Sequence, residues 1–208
     1  MARKTKKQAE QTYHTLLDAA SELFYNQGYT QTTLNEIARH AGMTRGAVYW
    51  HFSSKSDIVQ AIWEHHAEPV FNPISLGLNE LSEDNPAKDF RAAVSRLLSL
   101  IASDQRLARA LFILMHNMET SVKDGQLLDF LKQAHAMVLD TLQQSFDAIN
   151  RAGQLRDSLN TKHASLSFFC LLLGVVHQSL LPFRYLDVGT DGHIIMIDFL
   201  DGALKPSK

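Results

Sequence analysis

The chain has 208 residues, of which 45% are hydrophobic and 20% charged, so it is long enough to bury a sizeable core. Its formal net charge is −2, which excludes an overall positive field that would attract nucleic acid. The single cysteine, Cys170, excludes an intramolecular disulfide and a cysteine-rich zinc site. The N-terminal segment lacks the apolar core of a signal peptide, so we expect a cytoplasmic protein.

Charge is distributed unevenly along the chain. Residues 1–55 contain seven Lys and Arg against four Asp and Glu, a net charge of +3, and the remaining residues therefore carry −5. Four of the basic residues, Arg3, Lys4, Lys6 and Lys7, precede the first predicted helix. They are either a flexible arm that adds non-specific attraction to DNA or a solvated tail.

Four short helices are predicted in the first third of the chain. In the first helix, which Gly28 should end, apolar residues recur at helical spacing: Tyr13, Leu16, Leu17, Ala20, Leu23 and Phe24. Thr33 and Glu36 form a capping box at the start of the second helix. Thr44 can cap a third helix that ends near His51, and Ser54 with Asp57 forms another box that opens a fourth helix.

The helical pattern continues in longer segments. Pro69 and Pro73 should break or kink the fourth helix. Later apolar spacing predicts five further helices, near residues 90–101, 107–115, 131–149, 161–181 and 191–203. Because no strand pattern is present, the sequence predicts an all-α fold of about nine helices.

The second and third helices form a candidate helix-turn-helix. Gly42 in the intervening turn permits a positive φ, and the small Ala38 and Ala47 permit close helix packing. The segments TTLNEIA at 32–38 and AGMTRGAVYWHF at 41–52, followed by Lys55, resemble the DNA-binding domain of TetR-family regulators. The start MARKTK, the TRGAVYWHF block and Trp63 are most similar to AcrR-type repressors of multidrug efflux pump genes.

The resemblance covers residues 3–65 and implies an organisation for the whole chain. Residues 1–55 would form the N-terminal arm and a three-helix DNA-binding domain, and residues 56–208 a helical ligand-binding and dimerisation domain. It further implies a homodimer that binds double-stranded operator DNA and a small-molecule effector, with no cofactor and no membrane contact. Repression, with release by hydrophobic or cationic compounds, is the function that the family implies.

The start of the third helix should lie in the major groove of DNA. There Arg45 can donate to guanine O6 and N7, and Gly46 keeps the backbone close to the duplex. Tyr49 and Trp50 are either contacts to DNA or ordinary packing residues. The predicted DNA-binding residues, which include donors to phosphate, are Thr33, Thr44, Arg45, Gly46, Tyr49, Trp50, His51 and Lys55.

The ligand and dimer sites are predicted from residue type and family architecture. Met and aromatic side chains form adaptable pocket walls, and an acidic residue could pair with a cationic ligand. Such residues, each of which could instead be core, are Trp63, His66, Phe112, Met115, His116, Met118, Glu119, Phe146, Phe169 and His177. The expected dimer-interface residues on the last two helices are Phe168, Leu172, Val175, Val176 and Phe199.

Four other interpretations of the sequence compete with that of an efflux-pump repressor. The ten histidines suggest a metal sensor, but no further metal-ligating residue lies at close spacing to His116 and Glu119. The sequence contains no phosphate-binding glycine-rich loop, zinc-protease motif or nucleophile elbow, and this argues against an enzyme. The charge-free stretch from His163 to Phe183 is almost long enough to span a bilayer, although serines interrupt it. Sensing of a fatty acyl or aromatic metabolite, with control of a metabolic operon, is the alternative to efflux control.

Overall fold

A computed structural model describes residues 6–116, 125–181, 183 and 185–206. These residues form helices and one isolated β-bridge, and no strand occurs among them. The first helices are α1 (Lys6–Gln27), α2 (Leu34–His40), α3 (Arg45–His51), α4 (Lys55–Ile62) and α5 (Glu68–Asn79). The later helices are α6 (Pro86–Ser103), α7 (Gln105–His116), α8 (Gly125–Arg151), α9 (Thr161–Leu180) and α10 (His193–Ala203). The all-α prediction is confirmed.

The predicted caps define the first short helices. The Thr33 side chain accepts from the Glu36 N–H, and the Glu36 carboxylate accepts from the Thr33 N–H at 2.8 Å. Ser54 and Asp57 form the same reciprocal pair at the start of α4. The Thr44 hydroxyl accepts from the Ala47 N–H at 3.3 Å. Each cap satisfies backbone donors that a helix start leaves free, which is why these short helices begin where they do.

A break or a kink is expected at the two prolines, and the structure shows no break. Trp63–Ala67 forms a π-helical turn between α4 and α5, and Pro73 lies inside α5. The Glu68 N–H donates to the Trp63 carbonyl, five residues earlier. Pro69 cannot donate to the residue four positions before it, and a widened turn directly upstream accommodates that loss. The helical run therefore continues from Lys55 to Asn79 and counts as one of nine helices within the described residues.

The contacts divide the chain into two compact units. Unit 1 contains residues 1–68 and 109–131, and unit 2 contains residues 69–108 and 132–208. In unit 1, side chains from the first four helices form a closed core: Leu16, Phe24, Ile37, Val48 and Ile58. In unit 2, the rings of Phe90, Phe146 and Phe168 pack with centroids 5.1 to 6.0 Å apart. The functional division at residue 55 remains a prediction, and residues 109–131 group with the N-terminal helices.

Candidate nucleic-acid interface

The turn between α2 and α3 has the geometry of a helix-turn-helix. Gly42 has a φ of +65°, a conformation that L side chains rarely adopt. The Met43 N–H donates to the Ala38 carbonyl at 2.8 Å, and Ala38 and Val48 are buried between the helices. Because Val48 faces inward, the opposite side of α3 is turned to solvent.

The solvent side of α3 carries most of the predicted DNA-binding residues. Thr44, Arg45 and Gly46 are exposed in its first turn. Tyr49 is 48% exposed and Trp50 is 72% exposed. The alternative that these two rings are ordinary core residues does not fit that exposure. A polar first turn followed by two open aromatic rings is a surface suited to base edges and phosphates.

Arg45 is held by its own helix. Its Nη2 donates to the Tyr49 hydroxyl at 3.3 Å, and its guanidinium carbon lies 5.2 Å from the centre of the Tyr49 ring. The two residues are one helical turn apart, which places their side chains on the same face. No acidic residue occurs in the first turn of α3, so the guanidinium keeps its charge available to an anion.

The start of α4 is tied to the loop between α1 and α2. Lys55 Nζ donates to the Tyr29 carbonyl at 2.6 Å and to the Thr30 carbonyl at 3.4 Å. The same amine lies 4.4 Å from the centre of the Tyr29 ring, and the Tyr29 hydroxyl is 3.2 Å from the Ser56 hydroxyl. Lys55 therefore has a structural role in addition to its predicted contact with phosphate.

Two other predicted contacts are more constrained than the sequence suggested. The Thr33 hydroxyl donates to the Glu36 carboxylate at 2.9 Å, so its proton is directed into the capping box. Hydrogen bonds from Thr33 hold the pKa of Glu36 below its usual value. His51 is half-buried, with its ring 5.5 Å from Tyr13 and 4.4 Å from Trp50.

The predicted basic arm is partly helical. Lys6 and Lys7 are exposed and are the first two residues of α1, so they do not belong to a flexible arm. Arg3 and Lys4 lie outside the described residues. The apolar spacing began at Tyr13, and this is why the sequence placed the helix start too late.

Asp57 accepts several hydrogen bonds at the turn that follows α3. Its Oδ2 accepts from the Ser53 and Ser54 N–H groups at 2.9 and 3.1 Å, and its Oδ1 accepts from the Ser54 hydroxyl at 2.8 Å. Gln126 Nε2 donates to the same Oδ1 at 3.1 Å. Partial burial raises the pKa of the Asp57 carboxyl, but these hydrogen bonds lower it by more, and the pKa lies below 3.8. The capping motif predicted Asp57, whereas no local signal pointed to Gln126.

The predicted ligand-lining residues fall into both units. Trp63, His66, Phe112, Met115 and His116 belong to unit 1, and each is half-buried. Phe146, Phe169 and His177 belong to unit 2, where Phe146 is fully buried against the Phe90 and Phe168 rings. Phe146 is therefore a core residue. Met118 and Glu119 lie outside the described residues.

Three of the residues expected at a dimer interface are buried within one chain. Phe168, Val175 and Val176 are at most 5% exposed, so their side chains are not open to a second copy. Leu172 and Phe199 are half-buried. These three residues pack within their own chain, because α9 is apolar on more than one side and periodicity cannot tell which side the same chain covers.

A different face of α9 is open, and we call it the open α9 face. Thr161–Leu180 is long and apolar enough to cross a membrane. Only 33% of its most apolar 18-residue stretch is buried within this chain. Leu166 is 38% exposed, and an added Cβ at Gly174 would meet nothing within 4 Å. The exposed residues on this face are His163, Leu166, Ser167, Cys170 and Gly174.

The histidines of the described residues bear on the metal-sensor alternative. Among those residues, no group of three or more His, Cys, Asp or Glu side chains could hold a metal ion. His65 and His66 both lie in the π turn, and the ring of His65 packs 5.3 Å from that of Tyr13. His66 Nε2 lies 3.9 Å from an Asp18 carboxylate oxygen.

Comparison with known proteins places this geometry in a family. Residues 16–62 match the model of bacterial regulatory proteins of the tetR family. The transcriptional regulator TtgR of Pseudomonas putida is 30% identical over 184 residues, which cover 87% of this chain and 86% of TtgR. The transcriptional repressor BepR of Brucella suis is 30% identical over 206 residues, which cover 99% and 98% of the two chains.

A solved structure gives the same result over the whole fold. The SmeT–triclosan complex superposes with a TM-score of 0.79 at 29% identity and covers 95% of this chain and 93% of SmeT. SmeT is described as the repressor of the Stenotrophomonas maltophilia multidrug efflux pump SmeDEF. The chain therefore belongs to the TetR family of transcriptional regulators, is related to the regulators of multidrug efflux pumps, and is not an enzyme.

Proposed function

We propose that this regulator binds double-stranded operator DNA as a homodimer, represses an efflux pump operon in the cytoplasm, and is released by small hydrophobic or cationic compounds. The observation that carries the proposal is the open face of α3. There an exposed arginine, oriented by a tyrosine one turn later, lies beside a glycine and a largely exposed tryptophan.

Base readout is assigned to the first turn of α3. The fork of N–H groups on Arg45 can donate to guanine O6 and N7, and the Tyr49 hydroxyl restricts where that fork points. The Thr44 hydroxyl accepts from the backbone and keeps its own proton for a phosphate or a base. Gly46 lets the helix approach without an intervening side chain.

Dimerisation is assigned to the open α9 face together with α10. From His163 to Leu180 the helix has no charged residue, although a solvent-facing helix surface normally carries charge. Ile194 on α10 is 58% exposed in the same unit. A second copy that covers these apolar residues would pair two α3 helices, as a palindromic operator requires.

The effector class is assigned from the relatives. SmeT has been solved in complex with triclosan, a hydrophobic compound, and it represses an efflux pump. The predicted lining residues Trp63, Phe112 and Met115, all of unit 1, are apolar or aromatic and suit such a compound. The mechanism we infer is a population shift, in which the effector favours a conformer that binds the operator weakly.

The test is operator release in a purified system. The operator duplex is bound at half saturation, and triclosan, ethidium or a long-chain fatty acid is added. Efflux control predicts that triclosan or ethidium lowers operator affinity at least tenfold while the fatty acid has little effect. Release by the fatty acid alone would replace the proposal with metabolite sensing, and release by none of the three would also contradict it.

A further inference from the structure

Residues 109–131 belong to unit 1, and three contacts of the described residues of this segment with the N-terminal helices involve Phe112, Phe130 and Gln126. The Tyr25 ring packs on Phe112 with centroids 4.7 Å apart, and Trp63 lies 6.2 Å from Phe130. The third contact is the hydrogen bond from Gln126 to Asp57. Two of these contacts are between rings. The third is polar and reaches the turn that follows the recognition helix α3.

That turn has two anchors of different kinds. Phe52, which caps the C-terminus of α3, is 4% exposed and stacks on Tyr13 with centroids 5.1 Å apart. On the other side, the Asp57 carboxylate accepts from the N–H groups of Ser53 and Ser54. Movement of the Asp57 carboxylate would release these two backbone donors and with them the end of α3.

Gln126 restrains that carboxylate from the first turn of α8. Oδ1 of Asp57 accepts from the Ser54 hydroxyl at 2.8 Å and from Gln126 Nε2 at 3.1 Å. The serine belongs to the same capping box, whereas Gln126 is 69 residues away in the sequence. Its hydrogen bond therefore links this network to another segment of the chain.

We propose that Gln126 is a positioning residue for operator binding: it holds Asp57 on the turn after α3 and thereby fixes the orientation of the recognition helix. This rests on the proposed function only in assigning α3 to the operator. Because Gln126 lies in α8, a shift of that helix changes the position of Asp57 on the turn, and α8 influences DNA affinity through this residue.

The experiment compares Gln126→Met with Gln133→Met, an exposed glutamine on the same helix. Methionine keeps the side-chain length and removes the N–H donors. Amide exchange of Ser53 and Ser54 is followed by NMR without DNA, and operator affinity is measured by anisotropy. We expect faster exchange at both serines and a roughly three- to tenfold loss of affinity for Gln126→Met, with neither change for Gln133→Met.

A double-mutant cycle separates positioning from general structure. In an Asp57→Ala background, Gln126 has no carboxylate to hold, so adding Gln126→Met should change affinity less than about twofold. An equal loss in both backgrounds, or unchanged serine exchange in Gln126→Met, would overturn the inference. If the wild-type protein does not bind its operator, the proposed function fails, while the exchange measurement still decides the role of Gln126.

Discussion

The Arg45 guanidinium donates to the Tyr49 hydroxyl at 3.3 Å while it lies 5.2 Å from the centre of the same ring. Both residues are exposed, so this contact is not a consequence of burial. A flexible arginine loses side-chain entropy when it binds a base, and a neighbour that already restricts it lowers that cost. The pair is thus a pre-organised donor on the surface assigned to the operator.

Replacing Arg45 by Ala should lower discrimination between operator and random DNA by about 1–3 kcal/mol, because the bidentate contact to guanine is lost. The measurement is the ratio of the two affinities at one salt concentration. Tyr49→Phe is the matched control, since it keeps the ring and removes only the hydroxyl, and it should cost less. Unchanged discrimination in Arg45→Ala would remove Arg45 from base readout.

Replacing Lys55 by Met should have two effects. The two hydrogen bonds to the Tyr29 and Thr30 carbonyls are lost, so the free energy of unfolding should fall by about 1–3 kcal/mol. Loss of one phosphate contact should also flatten the salt dependence of binding by about 0.9 in log–log slope for every duplex. Reduced stability with an unchanged salt slope would leave Lys55 with its structural role alone.

The Asp57 carboxyl should make stability depend on pH at the acidic end. Its folded pKa lies below its ordinary value of 3.8, so the ionised form stabilises the fold. This contribution is present above pH 3.8 and is lost as the pH falls through the folded pKa. Asp57→Asn should therefore show a shallower loss of unfolding free energy on acidification. Identical acid profiles, measured by chemical denaturation, would contradict this.

Leu166→Glu should dissociate the dimer, because a charge would be buried against the apolar surface of the second copy. Leu159→Glu is the matched control: Leu159 is also 38% exposed but lies before α9. The oligomeric state of both variants is measured by analytical ultracentrifugation. A Leu166→Glu protein that remains dimeric would show that the open α9 face is not the interface.

Local signals in the sequence predicted the DNA-binding half well. The caps at Thr33, Thr44 and Ser54 and the glycine at residue 42 each determine backbone geometry within four residues, and the structure has all of them. The prolines predicted a break or a kink; the helix is not broken, and the widened turn that accommodates Pro69 lies upstream and has no residue signature of its own.

Long-range features were not predictable from one sequence. The partner of Asp57 is Gln126, and a sequence separation of 69 positions leaves no periodic trace. In α9 the charge-free surface is wider than one face, so Phe168 was assigned to the interface although it packs in the core of its own chain. Which apolar face a helix turns inward depends on its neighbours, and the sequence of that helix does not contain this information.

The most direct test of the central claim, that the exposed face of α3 selects an operator, is a fluorescence anisotropy titration. Wild-type protein is titrated against the DNA upstream of its own gene and against a scrambled duplex of the same length, at one fixed ionic strength. We expect binding at least a thousandfold tighter to the upstream duplex, in the range that separates specific from non-specific sites. Equal, salt-sensitive affinity for both duplexes would contradict it.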